Sequence, residues 1–265
     1  MEGISTLSLC IEPRGCGASG GHHVFSYGPM LQSVLMNAID DSYAASLHAS
    51  TLNPYSQYCF RNDNDEVVWR ISALTEEAAE YLIEPASKIK EFKLNNLNEE
   101  FTVTKTSYET FGLDRLLGFL KGDAPNSFRV RLATPTAFRS KGRYVLIPDV
   151  RLIFQNLLMR YNQVYGGDSE VDSETLEYIC EHVFITSYNL RSRYFPRTMG
   201  KADKIPAFMG YLTLYVSGPQ SLRGLVAMLL SFGEASGLGI KTSMGMGGMQ
   251  LLKNQSGQVG GNIGR

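Results

Sequence analysis

The sequence predicts an α+β protein in which one βαββαβ order occurs twice. Three observations carry that prediction. Short runs alternate apolar and polar residues with period two and are bounded by turn residues, as half-buried strands are. Between them lie longer segments with apolar residues at helical spacing. A cluster of Gly, Asp, Pro, Asn and Ser, "KGDAPNS" at 121–127, separates the two copies of the order. Two such units in tandem correspond to two ferredoxin-like, or RRM-like, domains, expected at 1–122 and 123–265, and a chain of 265 residues has room for both.

In the first unit, Leu7, Leu9 and Ile11 alternate with polar neighbours and predict a strand. Pro29 opens a helix, with Leu31, Val34, Leu35, Ala38 and Ile39 on one face. Strands follow at Tyr55–Phe60 and Val67–Ser72, around the turn-rich "RNDNDE". Thr75 caps a second helix, with Glu76 and Glu77 against the positive end of its dipole. Phe101, Val103 and Lys105 fall in the last strand.

The second unit starts on the alternation of Phe128, Val130 and Leu132, with a short extra strand at Arg143–Ile147. Asp149 caps a helix whose Ile153, Phe154, Leu157, Leu158 and Tyr161 keep helical spacing, and "SETLEYICEH" forms a second, acidic-faced helix. Strands at Val183–Asn189 and Tyr211–Ser217 precede a helix that starts at Pro219 and is expected to stop at Gly233. Met249–Lys253 is the final strand.

Composition narrows the function. With 43% hydrophobic and 19% charged residues, the chain is neither disordered nor collagen-like. A net charge of −1 supplies no global field for polyanions, so any nucleic-acid contact needs a local basic patch. Cys10, Cys16, Cys59 and Cys180 form no CxxC pair and no zinc spacing, which suits reduced thiols. The start "MEGISTLSLCIEP" lacks the basic and apolar regions of a signal peptide. No apolar run approaches the roughly 20 residues of a membrane span. The expectation is a soluble cytoplasmic protein, off the membrane, with no metal and no cofactor.

"GLGIKTSMGMGG", residues 237–248, calls for backbone that comes close to something. It is not a Walker A loop, because Lys241 lies between glycines and a strand follows. It is not a dinucleotide fingerprint either, since it follows a helix and no acidic residue stands about twenty positions on.

Four stretches together resemble the CRISPR repeat-RNA processing endoribonucleases, the Cas-six family. "FGEASGLGIKTSMGMGGMQL" resembles the family's terminal glycine-rich motif, and "LQSVLMNAIDDSYAASLHASTLNPYSQY" its N-terminal helix, Leu-His pair and aromatic segment. "ATPTAFRSKGRYVLIPDVRLIFQNLL" resembles the opening of its second domain. "YNLRSRYF" followed by "IPAFMGYLTLYVSG" resembles the basic strand and hairpin of members linked to type III systems. The resemblance implies two tandem ferredoxin-like domains and a metal-independent endonuclease acting on CRISPR repeat RNA, as a monomer or homodimer, with a type III effector complex as a further partner. It implies attack by the ribose 2′-hydroxyl on the adjacent phosphate, which leaves a 2′,3′-cyclic phosphate and a 5′-hydroxyl and spares DNA.

Such a reaction needs a group that gains and loses a proton near neutrality, and histidine, with an unperturbed pKa of about 6.5, is the natural choice. The chain has His22, His23, His48 and His182. His48 holds the family's Leu-His position, just after the first helix, and is expected to be general base or acid. His182, in "YICEHVF", is expected to be structural. Where family members carry a tyrosine on the first helix and a lysine after the histidine, this chain has Met36 and Asn53. His22 and His23 lie on the glycine-flexed loop "GGHHVFSYG", and one of them is expected to assist His48.

Cations concentrate in the second unit. Arg139, Lys141 and Arg143 stand beside Phe138 and Tyr144; Arg191, Arg193, Arg197, Lys201 and Lys204 face only Asp203. Tyr188, Tyr194 and Phe195 are interleaved to stack on bases while the cations take phosphates. Gly237, Gly239, Gly245 and Gly247, with Lys241, Thr242 and Ser243, are expected to add a phosphate cradle. The competing readings are a non-cleaving RNA-binding Cas subunit of the same fold, and a small-molecule enzyme, for which no carboxylate pair or metal set stands out.

Overall fold

Alternation at the amino end becomes strand β1 (Gly3–Pro13), whose Ile4, Leu7, Leu9 and Ile11 are buried. The computed structural model describes residues 3–14, 23–50, 52–95, 97–197 and 203–252. Helices α1 (Gly28–Ala38) and α2 (Asp41–Ala49) lead into β2 (Tyr55–Arg61) and β3 (Val67–Ala73). The Thr75 hydroxyl accepts from Ala78 N at 3.1 Å and caps a helical run made of α3 (Glu76–Ala78), one π turn (Ala79–Ile83) and α4 (Glu84–Ser87). Pro85 has no N–H to give the preceding turn, and the π turn sits directly before α4. Strands β4 (Glu91–Leu94) and β5 (Glu99–Gly112) complete a five-stranded sheet in the order β2-β3-β1-β5-β4, every pair antiparallel.

Helix α5 (Leu113–Lys121) leads into the second half, which begins with β6 (Ser127–Thr136) and continues with a hairpin of β7 (Phe138–Ser140) and β8 (Arg143–Val145). Asp149 Oδ1 accepts from Leu152 N at 2.9 Å and starts α6 (Val150–Tyr161), which a π turn (Asn162–Gly166) extends before α7 (Ser173–His182). Strands β9 (Val183–Pro196) and β10 (Lys204–Val216), helix α8 (Gln220–Ser236) and β11 (Met249–Leu252) follow. Their sheet has the order β11-β6-β10-β9, again antiparallel. In both sheets the unit's first strand lies between its third and its last, with the second outside the third. This is the ferredoxin-like arrangement, present twice in tandem.

Helix α8 does not stop at Gly233 but runs to Ser236, with Gly237 as its cap. Gly233 is instead a contact point, since a Cβ there would lie 2.7 Å from Met249 Sδ. The sequence pattern does not predict α2, β4, α5 or β7. Lys253 lies outside the described residues.

Each half has its own apolar core, and the core of the second half also takes in Ile4 and Leu74 from the first. A third cluster joins Phe25 of the first half to Ala137, Phe195, Ile205, Ala207 and Met246 of the second. Among these, the larger side chains (Phe25, Phe195, Ile205 and Met246) each contribute about 1.5–3 kcal/mol when fully buried. Cys10, Cys59 and Cys180 carry free thiols, and Cys16 lies outside the described residues. Among the described residues no helix is long and apolar enough to cross a membrane.

Candidate functional site

His48 is carried by a helix with a defined start. The Asp40 carboxylate accepts from Ser42 N at 2.9 Å and Tyr43 N at 3.2 Å, and the Ser42 hydroxyl together with these amides holds it below the usual carboxylate range. Tyr43 and Leu47 bury one face of α2, which leaves His48 exposed in the last turn. It therefore belongs to a second helix, not to the turn after the first. Beyond it the chain passes Ser50, Leu52 and Asn53 before entering β2, and Asn53 Nδ2 donates to Ser243 Oγ at 3.2 Å. This links the end of the His48 helix to the glycine-rich segment.

That segment is built into the seam between the two halves. Gly237, Gly239, Lys241, Gly245 and Gly247 all have positive φ. Five of its amides have partners inside the protein: Leu238 N donates to Gly247 O, Gly239 N to Asn156 Oδ1, Ile240 N to Ala137 O, Gly247 N to Pro135 O and Gly248 N to Thr134 Oγ1. Thr242 and Ser243 are buried; Thr242 Oγ1 accepts from Arg160, and the Ser243 carbonyl accepts from Gln57 Nε2 at 3.0 Å. Of the expected cradle, the Thr242 and Ser243 side chains are thus turned into the protein, and the amides of Gly239 and Gly247 are taken by it. The close approach is to protein, with Gly245 against Gly28 and Gly248 against the Tyr58 ring. Of the candidate residues in this segment, Lys241 alone is exposed.

The other cations lie on two hairpins. Arg139 pairs with Tyr144 across the β7–β8 ladder, and Lys141 and Gly142 turn the tip with φ 48° and 77°. Arg139, Lys141, Arg143 and Tyr144 are exposed there, whereas Phe138 is buried. Strand β9 is the free edge of its sheet and exposes Tyr188, Arg191 and Tyr194. Phe195 is 0% exposed in the cluster that joins the halves, so it is not a stacking platform. Arg193 is half-buried, and Arg197 is ion-paired with Asp203 at 3.2 Å. Lys201 lies outside the described residues.

His23 is exposed and stacks on Phe25, with ring centroids 5.0 Å apart. Phe25 shares a buried cluster with Met246 of the glycine segment, as Asn53, five residues after His48, is bonded to its Ser243. His22 lies outside the described residues. His182 ends α7, with Nδ1 3.0 Å from Tyr178 O and its carbonyl accepting from Ser217 N, a structural arrangement. Among the described residues no group of three His, Cys, Asp or Glu side chains is arranged to hold a metal ion.

One residue escaped the sequence reading. Arg160 is 5% exposed and donates from Nη1 to Thr242 Oγ1 at 3.0 Å, while its Nε and Nη2 have no partner. Burial alone pushes its pKa down to about 10. It borders a cavity of about 220 Å³ that Ser50, Asn53 and Gln163 also line. Its spacing from Ile153 and Leu157 sets it on the apolar stripe of α6, the one signal that could have marked it.

Residues 130–249 match the family profile described as CRISPR-associated endoribonuclease Cas6. The chain is 38% identical over 218 residues to the CRISPR-associated endoribonuclease Cas6 of Streptococcus thermophilus, covering 82% of this chain and 88% of that protein. It is 36% identical over 253 residues to the protein of the same name from Mycobacterium tuberculosis, covering 94% of this chain and 79% of the other. Its fold is similar to that of a solved Cas6 product complex, with a TM-score of 0.74 at 21% identity over 95% of this chain and 100% of that one.

Proposed function

The chain belongs to the Cas6 family of CRISPR-associated endoribonucleases, and from that premise we propose that it cuts CRISPR precursor RNA within each repeat, without a metal ion. The ribose 2′-hydroxyl gives its proton to a base, and its oxygen bonds to the adjacent phosphorus. The bond from phosphorus to the 5′-oxygen breaks, and an acid protonates that oxygen. The products are a 2′,3′-cyclic phosphate and a 5′-hydroxyl. DNA has no 2′-hydroxyl and is not cut.

The observation that carries this reading is the exposed imidazole of His48, on a capped helix whose exit is bonded to the seam through Asn53 and Ser243. An imidazole can serve as base and acid near neutral pH. One of His22 and His23 is the second proton carrier in this reading. The exposed Arg139, Lys141, Arg143 and Arg191, with Lys241, supply phosphate contacts, and Tyr144, Tyr188 and Tyr194 supply stacking surfaces. The two domains divide at 122/123. The protein works in the cytoplasm as a monomer or homodimer, with a type III effector complex as a further partner.

The test is repeat-RNA cleavage in excess EDTA by wild type, His48→Ala and a His22/His23 double alanine variant. Wild type cuts, and His48→Ala loses about 10²–10⁴ in rate while still binding RNA, as loss of a proton-transfer group predicts. Undiminished cleavage by His48→Ala removes His48 from the mechanism. A double variant within about twofold of wild type removes the loop histidines. Binding without any cleavage by wild type favours a non-cleaving RNA-binding subunit.

A further inference from the structure

We propose that Arg160 is the phosphate-binding cation beside His48, and that the cavity it borders receives one phosphate group of the bound RNA strand. The proposal rests on the cleavage reading above, because a strand seated at His48 is what brings the phosphate there.

Buried charges are normally paired, and an unpaired one is costly to the fold. Arg160 has one neutral hydroxyl partner and two nitrogens without any. It has no carboxylate partner among the described residues, and burial is the sole cause of its lowered pKa. A guanidinium held in this state is poised for an anion that arrives from outside, and phosphate oxygens suit its planar donor geometry.

Position agrees with that chemistry. Ser50 lines the cavity, and two residues of chain, at most about 7 Å, separate its Cα from that of His48. Asn53 lines it as well, and its Oδ1 has no partner while its Nδ2 is taken by Ser243. An unpaired cationic donor and an unpaired acceptor in one small cavity match a phosphate and a neighbouring ribose hydroxyl.

Arg160→Met and Arg160→Lys test the proposal through single-turnover cleavage of repeat RNA, RNA affinity, and the rise in Tm caused by inorganic phosphate. Arg160→Met is expected to fold with a Tm no lower than wild type, because an apolar chain replaces an uncompensated charge. It loses the phosphate-induced rise and cleaves about 10²–10³-fold more slowly, the usual cost of removing a group that stabilises transition-state charge. Its affinity for RNA stays within about fivefold, since one contact among many is lost. Arg160→Lys restores part of the rate and of the rise.

His48→Ala separates this proposal from the activity itself, because it is expected to keep the phosphate-induced rise while losing cleavage. Wild-type cleavage and an intact rise in Arg160→Met overturn the assignment and leave the activity standing. A lower Tm in Arg160→Met with an unchanged rise also overturns it, because Arg160 is then a structural residue. If wild type cuts no repeat RNA, the cleavage reading fails, and the phosphate-induced rise still decides whether Arg160 holds the anion.

Discussion

Gln57 in β2 donates from Nε2 to the Ser243 carbonyl at 3.0 Å and so ties the two halves together from a fully buried position. The same Nε2 donates to Gly28 O at 2.9 Å, and Oε1 accepts from Trp69 Nε1 at 3.0 Å. Gln57→Leu fills a similar volume but takes their partner from the Ser243 carbonyl and the Trp69 N–H in the interior. Each orphaned group costs about 1–3 kcal/mol, so on the order of 3 kcal/mol or more of stability should be lost. Thermal denaturation checks this, and a Tm within about 1 °C of wild type would show that Gln57 does not hold the seam.

Two glycines with the same backbone hand should respond differently to alanine. Gly142, with φ +77°, turns the β7–β8 tip and has nothing within 4 Å of a built Cβ. Gly247, with φ +68°, would put its Cβ 2.0 Å from Leu238 O. The left-handed conformation alone costs an L residue about 1–2 kcal/mol, which is the loss expected for Gly142→Ala. Gly247→Ala adds a collision with backbone that cannot yield, so it should lose several times more or fail to accumulate as folded protein. Equal melting temperatures for the two variants would contradict the packing described for the seam.

The glycines also mark the limit of what the sequence discloses. Local signals were legible: Thr75 and Asp149 cap helices as their side chains predict, and Pro219 is the cap residue before α8. The tandem fold followed from the order of such signals. Residues 237–248 find Gly28, Gln57, Tyr58, Pro135 and Ala137 about 100 residues or more away in the chain, and Asn156 and Arg160 at separations of 83 and 82. No local pattern carries that information, and phosphate and protein backbone demand the same absence of Cβ. Phe195 misled for a related reason. Aromatic residues alternating with arginines look equally accessible, yet the far end of β9 buries Phe195 against Phe25 from the other half.

Glu234, in α8, gives a dependence on pH. Burial raises its pKa, and the Leu251 N–H, Arg70 and Arg115 offset that only in part. With the folded pKa above the unfolded value of about 4.3, the native carboxyl favours its proton. Stability from this group is complete below the unfolded pKa and is lost as pH rises through the folded one. Glu234→Gln keeps an oxygen for Leu251 N at 2.8 Å and removes the titration. Its Tm advantage over wild type should therefore be small near pH 4 and larger at pH 7. An advantage that shrinks over that interval would reverse the sign argued here.

The cationic hairpins make a prediction in salt. Arg139 and Arg191 are exposed and have no ion-pair partner among the described residues, whereas Arg197 is paired with Asp203. A cation that neutralises an RNA phosphate displaces a counterion, so on a single strand each such contact contributes about 0.7 to the slope of log K against log salt. Arg139→Ala and Arg191→Ala should each weaken repeat-RNA binding and flatten the slope by about that amount. Arg197→Ala should change it less, because Asp203 already offsets that charge and becomes unpaired once the guanidinium is gone. Affinities measured from 50 to 300 mM salt, concentrations chosen to span roughly the range over which such contacts are screened, resolve the difference. A slope unchanged in both Arg139→Ala and Arg191→Ala would take the strand off these two hairpins.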